Sequence, residues 1–351
     1  MKHFSERLKA ARKMNGYSLQ DLSDAIQNQL NKQALNRLES GEMNPDSETI
    51  SLLSKALKVT NDYFFREATV ALADIRFRKL KKLTVKEQEK VTAQTVEFLE
   101  RYLELEDLLG LNNTIKFKPK SYKIKTSKDV ELAAQQIRKD WCLGEDPLPN
   151  IVEMLEENNI KVYQLEVDKS FSGMSTIIHE KIAVIVLNCN EEIPIVRQRF
   201  TALHELAHLY LDLSAFDDKE CEKMCDLFAG AMLLPEKKIK QYLGDKRSQI
   251  IMKELFMIAE QYGISLAAII YRAFNLEIIT PSYFKFFMIK YNQYHTKEKE
   301  FGVYTGREYS ERFLQLLIRA VAEEIISTTK AASLNRQKLG DFREILDSTA
   351  K

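Results

Sequence analysis

At 351 residues, 45% hydrophobic and 29% charged, the chain is long enough for two or three cored domains and is neither disordered nor fibrous. A formal net charge of +1 excludes wholesale attraction to nucleic acid, so any DNA contact must come from a local patch. Four cysteines (Cys142, Cys189, Cys221 and Cys225) are too few for a disulfide framework, no secretory leader opens the chain, and no apolar run nears the roughly 18 residues of a membrane span; a cytoplasmic protein with no membrane partner is expected.

Glycine and proline are sparse, 11 and 7, and amphipathic stretches dominate. The expected class is therefore mainly α with a small β-sheet (α+β). Phe4, Leu8 and Ala11 mark the apolar face of a first helix. Ser18 is a fitting N-cap for a second, carrying Leu22, Ala25 and Ile26. A third runs from about Asn31 to Glu39 and stops at Ser40-Gly41. Asn44-Pro45-Asp46 makes a turn, a fourth helix carries Ile50, Leu53 and Leu57, and a short fifth segment holds Tyr63 and Phe64. Residues 67–112 are charged and too poor in apolar residues to fold alone; they read as a helical linker broken near Leu83-Thr84. From about residue 127 come two helices, at 130–141 and 151–158, and three strand-like runs at 160–167, 174–180 and 181–188. The last two fit a hairpin around Glu180-Lys181. Residues after Pro194 read as helical to about 275. Residues 283–310 carry strand-like pieces such as FKFFMIKY (284–291), and a final helical unit covers 310–348.

The chemistry concentrates in HELAH, residues 204–208. His204 and His208 are four residues apart, so on a helix their side chains project about 40° apart on one face and can share an ion. Glu205 follows the first histidine, beside the metal rather than aimed at it, as suits a base for metal-activated water attacking a peptide carbonyl. Two histidines leave a third ligand to find. In CEKMCDLFAGAMLLPE (221–236), Glu222 and Asp226 share one helical face. Glu222 is assigned as the third ligand and Asp226 as the group that orients a ligand imidazole through its other ring nitrogen. Cys221 and Cys225 form a rival pair on the adjacent face, which leaves a cysteine-containing site open. HExxH also occurs in helices with no metal; the matched Glu and Asp on the second helix favour the metal site.

These residues resemble the ImmA/IrrE family of metallopeptidases. The resemblance runs through Arg197-Gln198-Arg199-Phe200-Thr201 before His204, then Glu222 to Ala229 and Leu233-Leu234-Pro235. Upstream it takes in FSGMS (171–175) and the strand ending at Asn188; downstream, GISLAAIIYRAFNLEIIT (263–280). Cys225 stands where alanine is usual. The resemblance implies a zincin-like metallopeptidase with Zn2+ as the metal and repressor proteins as targets.

Residues 4–65 resemble the Xre/Cro/434-repressor helix-turn-helix family, through RLKAARKMNGYSLQDLS and KQALNRLESGEMNPDSETISLLSKALKV. In that geometry the third helix enters the major groove. Asn31, Lys32, Gln33, Asn36 and Arg37 would be its contact residues, with amides suited to adenine edges and cations to guanine or phosphate. Leu19 replaces a usual glutamine, and the turn QNQLN is about two residues longer than usual and lacks its glycine. Residues 1–66 hold ten Lys+Arg against eight Asp+Glu, with the basicity gathered in Arg7, Lys9, Arg12 and Lys13. A small helical protein-binding domain is the competing interpretation.

Together these features divide the chain into a helix-turn-helix domain (1–66), a helical linker (67–112), a zinc peptidase domain (113–290) and a C-terminal helical region for regulation or oligomerisation (291–351). The expected function is a DNA-binding transcriptional regulator whose zinc endopeptidase cleaves a regulatory protein. The expected partners are a double-stranded DNA operator, a repressor or toxin partner as substrate, and a second copy in a homodimer. The alternative is a non-proteolytic regulator or antitoxin that uses the zincin fold to sense a partner or ligand. RFRKLKK (76–82) reads as a solvated helix face, His179 and His295 as surface histidines, and Arg272 as a salt-bridge partner rather than an oxyanion stabiliser.

Overall fold

The computed structural model describes residues 2–66, 83–111, 121–178, 181–294 and 304–348. His179, His295 and the basic run at 76–82 lie outside the described residues. Packing groups the chain into two compact units, one from 1–116 with 311–351 and the other from 117–310.

The first unit opens with α1 (Lys2–Met14), α2 (Leu19–Ala25), α3 (Lys32–Ser40), α4 (Ser47–Leu57) and a 3₁₀ turn at Asn61–Phe65. Its boundaries follow local chemistry. Ser18 and Asp21 form a reciprocal capping box on α2, Asn31 caps α3, Asp46 caps α4, and Gly41 ends α3 at φ 77°. Phe4, Leu8, Leu22, Leu35, Leu38, Leu53 and Phe64 form the shared core. Next comes α5 (Val85–Leu108), begun by a Thr84–Glu87 capping box. It contributes Ala93 to that core, and Glu100 meets the buried guanidinium of Arg7.

The second unit begins with β1 (Tyr122–Lys123), α6 (Ser127–Asp140) and α7 (Ile151–Glu157). Strands β2 (Ile160–Leu165), β3 (Gly173–Ile178) and β4 (Ile182–Asn188) make one sheet in the order β2-β4-β3. The expected antiparallel pairing of the last two strands is present, with Ile178 opposite Ile182, and β2 adds in parallel to β4. Residues Ala183–Leu187 of this central strand are all buried, which explains an unbroken apolar run instead of alternation. Then come α8 (Ile195–Tyr210), β5 (Leu211–Asp212), which pairs in parallel with β1, and α9 (Asp218–Leu233). Helices α10 (Glu236–Leu243), α11 (Met252–Tyr262), α12 (Leu266–Asn275) and α13 (Pro281–Tyr294) complete the unit.

Helix α13 corrects the strand-like expectation for FKFFMIKY. Pro281 suits a first helical position, and Tyr283, Phe287 and Tyr291 recur at four-residue spacing with centroids 6.5 and 6.2 Å apart. A dense aromatic run hides this period.

The chain returns to the first unit with α14 (Arg312–Ala322), α15 (Thr328–Leu334) and α16 (Leu339–Ser348). Leu317, Ala331, Leu334 and Phe342 pack on Tyr102 and Leu105 of α5. These packing units cut the chain differently from a separate linker and tail, because the apolar face of α5 is covered on both sides within one unit. Among the described residues no helix is long and apolar enough to cross a membrane.

Candidate functional site

Helix α8 buries Ala202, Leu203, Leu206 and Ala207 and packs on β3, β4 and α9. Gly173 permits the close approach to β3: a Cβ there would lie 2.7 Å from Thr201 Cγ2 and 3.0 Å from the Val186 carbonyl oxygen. Arg199, fully buried, fixes the same helix from another side. It donates to the carbonyls of Gly263 (3.0 Å) and Leu148 (2.6 Å) and to the Tyr304 hydroxyl (2.8 Å), and it pairs with Glu308. Burial outweighs the guanidinium and pushes the Glu308 carboxyl above the usual range.

The histidines project from the remaining face, with side chains 12% and 25% exposed. Their Nε2 atoms are 3.3 Å apart. From α9, Glu222 brings Oε2 to 3.2 Å from His204 Nε2 and Oε1 to 3.4 Å from His208 Nε2. Ligands bound tetrahedrally at 2.0–2.2 Å are separated by roughly 3.3–3.6 Å; the two Nε2 atoms have that spacing, and Glu222 approaches each histidine through a different oxygen.

A competing triad, His204, His208 and Cys225, brings ligand atoms within 4.8 Å of one another. Ring geometry separates the two sets. Cys225 Sγ, buried, lies 3.6 Å from His208 Nδ1, across the imidazole from the Nε2 that faces Glu222. Asp226 Oδ1 stands 2.8 Å from His204 Nδ1 in the same relation. Each imidazole thus has a partner on α9 at Nδ1, an arrangement that can orient the ring with Nε2 toward a metal. The cysteine of the sequence's rival pair therefore meets His208 at the ring nitrogen that does not face Glu222.

Glu205, 2% exposed, accepts a hydrogen bond from Ser175 Oγ of β3 at 2.8 Å. Ser175 was not singled out in the sequence. Its signal is slight, a hydroxyl in FSGMS two residues after the glycine that lets α8 approach. Asn188 secures the same corner: its amide donates to the carbonyls of Val167, Asp168 and Phe171, at 3.1, 3.0 and 2.8 Å, and holds the loop before β3. Arg272 forms the expected salt bridge, meeting both oxygens of Glu131 at 2.6 and 2.8 Å.

In the first unit, Lys32, Gln33, Asn36 and Arg37 are exposed on α3. Asn31 is exposed as well, but its side-chain oxygen accepts from Ala34 N at 2.8 Å as the N-cap. The long glycine-free turn before α3 places Gln27 and Asn28 at φ 56° each. Much of the basicity of α1 faces other residues: Arg7 meets Glu100, Arg12 meets Glu39 at 2.6 Å and Lys13 meets Glu89 at 2.9 Å.

Comparison with known families gives two matches. Residues 8–64 match the helix-turn-helix family, and residues 155–274 match the IrrE N-terminal-like domain, a peptidase family. The first spans most of α1 through α4 and the turn at 61–64, and the second runs from α7 into α12 and contains the histidines, Glu205 and Glu222. No curated protein matches the chain.

Proposed function

We propose that this chain, which joins a DNA-binding helix-turn-helix to an IrrE N-terminal-like peptidase-family domain, is a transcriptional regulator that binds a double-stranded operator and cuts a regulatory protein such as a repressor. The observation that carries this reading is the meeting of His204, His208 and Glu222 at 3.2–3.4 Å beside the buried Glu205. His204, His208 and Glu222 would hold Zn2+, with Asp226 and Cys225 orienting the imidazoles. Zinc, when bound, supplies a Lewis acid for water and the peptide carbonyl. Glu205 takes the proton of the attacking water and returns it to the leaving amine as the C–N bond breaks. Ser175 Oγ donates to Oε2 of Glu205 and so positions the carboxylate for that transfer.

On the operator, Gln33 and Asn36 suit adenine edges, and Lys32 and Arg37 suit guanine or phosphate. Asn31 serves foremost as the cap of α3. The protein acts in the cytoplasm as a homodimer spanning two half-sites. The functional division proposed is 1–66 for DNA, 67–112 as a helical linker, 113–290 for proteolysis and 291–351 for regulation or oligomerisation.

The test compares full-length protein with Glu205→Gln, both zinc-loaded and incubated with proteins of the host cell. Newly formed N-termini are mapped by mass spectrometry. Cuts in a regulatory protein made only by the unsubstituted chain support proteolysis. Identical N-termini would leave a non-proteolytic regulator or antitoxin that uses the zincin fold to sense a partner or ligand.

A further inference from the structure

A cleft of about 640 Å³ in the second unit lies between α8, α9, α12 and α13. Asp226, which touches His204, lines it, as does Phe200, one turn before His204. The cleft therefore adjoins His204 through Asp226, on the Nδ1 side of its ring. Its walls are apolar and aromatic. Phe274 and Phe284 stack with centroids 4.5 Å apart, and Tyr271 stands edge-on 4.9 Å from Phe284 while 50% exposed. Rings that pack on one another form a rigid face at little entropic cost. The lining cations differ in role. Arg272 is held by Glu131 and the Leu234 carbonyl, whereas Arg197 and Lys223 are exposed. Asp226, the acid on the lining, faces His204.

We propose that this cleft is a specificity subsite that takes a bulky apolar side chain of the protein substrate, with an acidic substrate residue beside it at Arg197 and Lys223. The proposal rests on the peptidase reading of the adjoining centre and names the substrate class for it. The hydrolytic groups act on any peptide bond; selection must come from neighbouring surface, and this cleft adjoins them through Asp226, which contacts His204. Its volume falls within the usual range for sites that enclose a ligand, and it has room for a side chain with part of its backbone. Aromatic walls favour Phe, Leu or Met over small residues. The two exposed cations favour Asp or Glu over Lys.

The test uses full-length Glu205→Gln protein, with and without zinc, so that binding is read without turnover. The probe is an N-acetylated peptide amide of Gly-Xaa-Asp-Gly with fluorophenylalanine at Xaa, followed by fluorine NMR. Peptides with Phe or Leu at Xaa are expected to displace the probe at least tenfold better than the Gly peptide, and replacing Asp by Lys should weaken displacement. Ala268→Trp, which fills the cleft from α12, should abolish probe binding. Tyr271→Ala, an exposed position, should weaken it about fivefold and keeps the test decisive if the tryptophan variant does not fold. Equal displacement by Gly and Phe peptides, or unchanged binding in folded Ala268→Trp or Tyr271→Ala, would overturn the subsite. Selective binding by a protein that hydrolyses nothing would retain the subsite and reject the peptidase; hydrolysis with no apolar preference would do the reverse.

Discussion

Ser175 and Glu205 meet across the gap between α8 and β3, and their hydrogen bond joins a hydroxyl to a carboxylate that is 2% exposed. A hydrogen bond to a charged group contributes about 1.5–3 kcal/mol, roughly ten- to a hundredfold in rate if it acts in the transition state. Ser175→Ala is therefore expected to lower kcat by at least about tenfold with KM and zinc content little changed, and Ser175→Thr to recover much of the loss. Steady-state kinetics on a mapped substrate checks this; a KM effect alone would assign Ser175 to substrate binding instead. Cys225 teaches a related lesson. Residue type and helical spacing make it a candidate ligand, and its sulfur stands 3.6 Å from His208 Nδ1, on the other side of the ring from Glu222. Spacing along a helix cannot distinguish Nδ1 from Nε2, so the three-dimensional contact was required.

Elements carry the strain and the clamps. The turn between α2 and α3 holds Gln27 and Asn28 at φ 56°, where an ordinary L-residue costs roughly 1–2 kcal/mol. Gln27→Gly should relieve part of this, raising the stability of the first unit by about 0.5–1 kcal/mol after the added freedom of the unfolded chain is counted. Denaturant unfolding followed by circular dichroism checks it, and a destabilised variant would contradict it. The missing glycine was legible in the sequence, but its conformational consequence was not. Helix α8 depends on the buried Arg199–Glu308 pair. Removing one partner strands the other, at about 3–5 kcal/mol. Arg199→Ala should therefore lower the midpoint of the second unit sharply, and Arg199→Ala with Glu308→Gln should recover part of the loss. A double variant no better than the single would reject the pair as the cause.

At the scale of the whole molecule, caps and motifs were the legible part. Ser18, Asn31, Gly41 and Asp46 bound the first helices where their chemistry places them, and HELAH lies on one helix with Glu222 opposite. Long-range pairing was not legible. Nothing local announces that Tyr122 and Lys123 pair with Leu211 and Asp212, or that Phe342 packs near Tyr102. In α13 the aromatic density of FKFFMIKY imitated a strand, because β propensity and an i, i+4 aromatic ladder draw on the same residues. The distant cleft-lining residues were likewise invisible until α12 and α13 folded beside α9.

The most direct measurement is the zinc content of tag-free full-length protein by elemental analysis, for the unsubstituted chain, Glu222→Ala and Cys225→Ala, each checked for folding. About one zinc per chain is expected in the unsubstituted protein, with loss or marked weakening in Glu222→Ala and retention in Cys225→Ala. Retention in Glu222→Ala with loss in Cys225→Ala would contradict the ligand set. An unsubstituted protein that neither contains zinc nor takes it up would contradict the metallopeptidase itself.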